Sequence, residues 1–170
     1  MKDILIILGL CLAAILIGAW LFLANPKSAA SPASTVTAVT VPVPVTELGA
    51  GTVTATATSK VNYRIQDSAA LAKLWSMAYG ASTTPPAVDF STDDVVAVFA
   101  GPEPTTGYAI AVTRVEDAAD GRLITIALSK PDSSCIEADT VTSPYEIVTM
   151  PKTALPLAHA YEFATSTCAR

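Results

Sequence analysis

Gly101–Tyr108 reads Gly-Pro-Glu-Pro-Thr-Thr-Gly-Tyr and lies between two runs that have the character of β-strands. Proline lacks an amide donor and fixes its own φ, while glycine supplies the positive φ of a tight turn. Two of each within one short stretch cannot continue a strand ladder. The chain must leave one strand, form a stiff polar loop and return on another. The run before it, Val95-Val96-Ala97-Val98-Phe99, is apolar at consecutive positions, which predicts a central strand buried on both faces. An ordered loop displayed on such a scaffold is a usual carrier of function.

The remaining elements follow from periodicity. Thr52–Thr58 alternates with period two and Val61–Ile65 continues the pattern, so both read as strands. Asp67 is placed as an N-cap. Ala69, Ala70, Leu71, Leu74, Trp75 and Ala78 recur at helical spacing after it, which predicts a helix over Ser68–Tyr79 that Gly80 ends. Tyr108–Glu116 and Leu123–Ser129 flank Asp120-Gly121, the turn signal of a hairpin. An apolar stretch from Ile136 to Met150, broken at Ser143-Pro144, supplies another strand. Leu157, His159, Tyr161 and Phe163 share one face of a closing strand. The fold class is α+β: a mostly antiparallel β-sheet with one packed helix, preceded by an N-terminal transmembrane helix.

That transmembrane segment is Ile4–Ala24, an uncharged and mostly apolar run of the length needed to cross a bilayer. Trp20 and Phe22 lie where aromatic rings favour the headgroup boundary, and Asn25-Pro26 stops the helix. Cys11 reads as a small apolar residue within the membrane. A cleaved signal peptide is the competing reading, but its apolar core would be shorter. The organisation is a membrane anchor over 1–25, a Pro/Ser/Thr/Ala-rich linker over 26–46 and an extracytoplasmic domain over 47–170. Val41-Pro42-Val43-Pro44-Val45 within the linker favours an extended, polyproline-like form. Cys135 and Cys168 are the cysteines beyond the anchor, and an even pair in an exported domain predicts a disulfide.

Net charge is −5 and no cluster of basic residues occurs, which argues against a nucleic-acid partner. His159 is the single histidine and reads as a half-buried residue on an apolar strand face. No HExxH, CxxC, P-loop or GxSxG motif is present, so no metal, cofactor or catalytic residue is assigned and an enzyme is not expected. Asp89, Asp93 and Asp94 read as solvating or capping the start of the central strand.

The order Tyr63-Arg64-Ile65, the Leu71–Trp75 helix, Val88-Asp89-Phe90-Ser91, Asp94–Phe99, Gly101, Pro104-Thr105-Thr106-Gly107-Tyr108 and Thr142–Val148 resembles the C-terminal domain of PrcB-type protease complex subunits. The resemblance runs from Val61 to Lys152, with Thr106 standing where that family often has a glycine. It implies an exported, non-catalytic partner that associates with and stabilises a secreted or surface protease. The residues it offers for protein contact are Glu103, Pro104, Thr105, Thr106, Gly107 and Tyr108, together with Ser143, Pro144 and Tyr145. Pro104–Tyr108 also resembles one loop of chagasin-like cysteine protease inhibitors, although Glu103 replaces their asparagine. The alternatives are therefore inhibition through that loop, or a surface domain with no protease link.

Overall fold

The computed structural model of the chain describes residues 40–53 and 59–168. The expected anchor over 1–25, most of the linker and residues 54–58 of the first expected strand lie outside the described residues. Among the described residues no helix is long and apolar enough to cross a membrane.

Among the described residues the strands are β1 (Val41–Pro42), β2 (Thr46–Val53), β3 (Val61–Ile65), β4 (Asp93–Phe99), β5 (Ala109–Asp117), β6 (Arg122–Pro131), β7 (Ser143–Pro151) and β8 (Leu157–Ser166), with one helix, α1 (Ser68–Tyr79), between β3 and β4. They form two four-stranded sheets, in the orders β1-β5-β6-β8 and β2-β7-β4-β3. The expectation of one sheet is corrected here. β7 leaves the sheet of β6 for the other one and β8 returns to it, so β8 pairs parallel with β6, Arg122 opposite Leu157 through Pro131 opposite Ser166. The other pairings are antiparallel, including the β5–β6 hairpin.

The β2-β7-β4-β3 sheet is the middle of three layers. The apolar run of β4 makes this arrangement necessary, because both of its faces need cover. Val95, Ala97 and Phe99 meet Leu71, Leu74 and Trp75 of α1, while Val96, Val98 and Ala100 meet Ile110, Val115, Ile124, Ile126 and Leu128 of the second sheet. Burying each of the valine and phenylalanine side chains of β4 contributes about 1.5–3 kcal/mol, which makes β4 the mechanical centre of the domain. α1 has the predicted limits. Asp67 accepts a hydrogen bond from the Ala70 amide at 2.8 Å, and Gly80, at φ 90°, donates its amide to Ser76 O.

Two further expectations change. The end of the proline-rich segment is folded: β1 pairs with β5, the Val43 amide donates to Val115 O at 2.8 Å, and Val43 and Val45 pack on the inter-sheet core. A proline at a strand margin is compatible with this because the missing donor can face away from the ladder. The apolar stretch from Ile136 is not a strand until Ser143, and the Ile136 side chain is fully exposed.

Candidate functional site

The loop predicted from its prolines and glycines leaves β4 and returns as β5, and the geometry of each turn is set by a named residue. The Ala100 amide donates to Pro144 O, after which Gly101 takes φ 83°. A Cβ at Gly101 would lie 2.7 Å from Lys60 N, so both the angle and the space demand glycine. Glu103 and Thr142 then exchange both backbone hydrogen bonds, at 2.7 and 3.0 Å. The two loops are thereby sewn together like a short strand pair.

Both hydroxyls of the Thr-Thr pair are engaged within the protein. Thr106 Oγ1 donates to Glu137 Oε2 at 2.6 Å and accepts from the Ala138 amide at 3.0 Å, while the Thr106 amide donates to Ala138 O. Thr105 Oγ1 bonds the adjacent Thr106 O, and Thr105 O accepts from the Thr142 hydroxyl at 2.9 Å. Gly107 has φ 82°, and a Cβ there would meet the Glu137 carboxyl carbon at 2.5 Å. The partner loop is itself fastened. Cys135 and Cys168 form the expected disulfide, with Cα atoms 5.2 Å apart, and Asp132 N donates to Ser166 O. A loop held in this way loses little conformational freedom on contact with a partner.

This sorts the predicted contact residues. Pro104 and Gly107 are exposed on the crest, and Glu103, Thr105, Thr106 and Tyr108 are half-buried. Ser143, Pro144 and Tyr145 are buried, which corrects their expected role as contacts. They begin β7, which pairs with β2 on one side and β4 on the other, so that Tyr145 lies between Gly51 and Phe99. Its ring stacks on Phe99 with centroids 5.6 Å apart and meets Tyr79 edge-on at 5.7 Å. Burial and the Tyr79 hydroxyl push its phenol well above the ordinary range. These three residues support the loop from beneath.

The structure adds contact residues that periodicity concealed. Ile136 is 100% exposed beside Glu137, and Val141 is 53% exposed at the far end of the same loop. Large apolar side chains held in solvent on a stapled loop are the type of anchor that interfaces bury. The Pro-Asp-Ser-Ser-Cys stretch before Ile136 is the sequence signal that a loop precedes it. Alongside the crest runs a groove of about 330 Å³ lined by Glu103, Tyr108, Leu128, Lys130, Phe163 and Thr165. Phe163 is 75% exposed. Withdrawal from water raises the Glu103 carboxyl above its usual range, and nearby Lys60 partly opposes this.

The acidic residues before β4 have structural tasks. Asp89 accepts from the Ser91 amide and hydroxyl in a turn. Asp94 is completely buried and ion-paired to Arg64 at 2.5 Å, with a second bond from Gln66, so its reading as a solvated position is corrected. His159 stands opposite Ile124 on β8, accessible at the surface, and partial withdrawal from water lowers its imidazole pKa below the ordinary value.

Residues 95–151 match the family model described as PrcB C-terminal. The match extends from β4 to the end of β7 and so includes the crest loop, the hairpin and the loop that clips them. No curated protein and no solved structure matches the chain.

Proposed function

We propose that this chain, whose residues 95–151 match the family model described as PrcB C-terminal, is a membrane-anchored, extracytoplasmic and non-catalytic protein that binds a secreted or surface protease and stabilises its complex. The observation that carries the reading is the exposed Ile136 beside a loop whose own polar groups are already satisfied. A crest built from Pro104, Gly107, Ile136 and Val141 offers apolar area at a small ordering cost, which suits association with a protein surface. The family match supports a protease complex as the setting.

The test is capture from native membranes with the full chain as bait, beside an Ile136→Asp/Pro104→Asp variant. Both positions are exposed, so neither substitution touches the core. Retention of a protease by the native bait and its loss from the variant is the expected result. Equal retention by both baits removes the crest as the contact. The activity of the captured protease then separates a helper, which leaves it intact or raised, from an inhibitor acting through the same loop, which abolishes it.

A further inference from the structure

β8 is an end strand of its sheet, with β6 as its neighbour. The β6–β8 ladder runs unbroken from Arg122 opposite Leu157 to Pro131 opposite Ser166. The Arg122 amide donates to Pro156 O at 2.9 Å and the Asp132 amide to Ser166 O at 3.0 Å, so the even-numbered residues turn their main-chain groups to β6. Main-chain groups of successive strand residues point to opposite edges. Leu157, His159, Tyr161, Phe163 and Thr165 therefore aim both amide and carbonyl away from β6. Among the described residues none of these groups has a partner. Such a row is a template for a further strand, and proteins guard it with short strands, prolines, bulges or lysines. The other edges carry guards of this kind. β1 has 2 residues and ends in Pro42, β3 has 5, and β2 is bulged between Glu47 and Gly49. β8 has 10 residues and contains no proline, lysine or bulge.

We infer that β8 pairs antiparallel with β8 of a second copy of this chain, about a two-fold axis at Tyr161. That register sets Leu157 opposite Thr165, His159 opposite Phe163 and Tyr161 opposite itself, so every outward amide and carbonyl gains a partner. The Phe163 ring, 75% exposed in the single chain, gains cover from the added strand. On the other face Ala158 meets Ala164. Glu162 meets Ala160 rather than its own counterpart, which avoids like charges directly opposite one another. Charge favours a copy as the occupant. Glu162 is the one carboxylate of β8, and the Arg114 guanidinium of the same chain already stands 3.8 Å from it, so two such edges approach without repulsion. A second β8 also supplies an equally long and equally unguarded row at the same spacing. One strand pair is smaller than a standard interface of roughly 800 Å² per partner, so association should depend on concentration. The edge uses none of the crest residues, so it goes beyond the proposed function and fails or survives separately from it.

The experiment follows amide hydrogen exchange in the isotope-labelled full chain in detergent micelles, from micromolar to millimolar protein, beside its sedimentation. The amides of Ala158, Ala160, Glu162 and Ala164 should be protected at every concentration. Those of Leu157, His159, Tyr161, Phe163 and Thr165 should become protected only as a dimer forms. Phe163→Pro removes an outward donor and leaves the β6 ladder intact, a placement that edge strands tolerate. It should weaken the dimer at least about tenfold, because each copy loses a hydrogen bond. The crest variant Ile136→Asp should leave the dimer unchanged. Odd-numbered amides protected in the monomer, a dimer that leaves them exchanging freely, growth into open-ended chains, or no association at millimolar concentration would each overturn the inference. The alternation of protection is read on the parent chain, so the result stands even where Phe163→Pro does not fold.

Discussion

Replacing Thr106 by valine tests whether the crest is held by the bonds described. Valine keeps the β-branched shape and removes only the hydroxyl, which both donates to Glu137 Oε2 at 2.6 Å and accepts from the Ala138 amide at 3.0 Å. A hydrogen bond to a carboxylate contributes about 1.5–3 kcal/mol and a neutral one about 0.5–1.5. Both partners retain access to water, since Glu137 is half-buried and Ala138 exposed, so solvent recovers part of the sum. The net destabilisation should be about 1–2 kcal/mol. Thr105→Val is the internal control. Its hydroxyl bonds the neighbouring Thr106 carbonyl at 3.1 Å, and its removal should change stability by about 0.5 kcal/mol or less. Urea unfolding followed through Trp75 fluorescence reads the difference. With a slope of about 1–3 kcal/mol per molar urea, Thr106→Val should lower the midpoint by roughly 1 M at unchanged slope. Equal midpoints for the two variants, or a larger loss from Thr105→Val, would refute the account of how this loop is fastened.

Three further substitutions probe the scaffold. The double change Cys135→Ser/Cys168→Ser releases a closed loop with a sequence separation of 33 and should destabilise the domain by about 3–4 kcal/mol, read as a fall in Tm. Arg64→Met leaves the buried Asp94 carboxylate without its cation and should cost about 2–4 kcal/mol, somewhat under the full range for a buried pair because the Arg64 side chain is 26% exposed; unfolding free energies check this, and a loss below about 1 kcal/mol would rule it out. Glu146 is buried and its carboxylate accepts the Val112 amide; burial raises its pKa above 4.5, the Val112 amide opposes this, and Glu47 adds a smaller upward push. Its favourable contribution is therefore present below the unfolded pKa and lost as pH rises through the folded one, so Glu146→Gln should gain stability relative to the parent as pH rises from about 4 to 7. Parallel midpoint curves for parent and variant would show that the carboxylate titrates alike in both states.

How far the sequence carried the fold depends on the range over which each signal acts. α1 was legible to its ends because Asp67 and Gly80 are local devices, and β4 was legible because a consecutively apolar strand has to be internal. The division into two sheets was not. The alternation in β8 states that Leu157, His159, Tyr161 and Phe163 share a face, but it does not name the partner or the direction. Both follow from β7 crossing to the other layer, a consequence of long-range packing. The β-bulge between Val112 and Arg114 is equally silent in sequence, although it is where the Glu146 carboxylate meets the backbone of β5.

The same distinction explains the exchange of roles in the candidate site. Ser143-Pro144-Tyr145 resembled an exposed break because serine and proline favour turns. Tertiary pairing with β2 and β4 overrode that preference and buried all three. Ile136 resembled core because it opens an apolar run, yet the disulfide at Cys135 and the Thr106 clip at Glu137 and Ala138 hold the chain on either side of it in a loop, with the side chain outward. An apolar residue that could turn inward would not be expected to stay solvated. Two separate fastenings on adjoining residues remove that freedom, and the exposure of Ile136 is therefore a built feature of the domain. If so, reducing the disulfide should weaken partner capture even where the Ile136 side chain is unchanged, while Ile136→Asp should weaken capture without lowering Tm. Capture that survives both changes would mean that this exposed isoleucine is not the anchor.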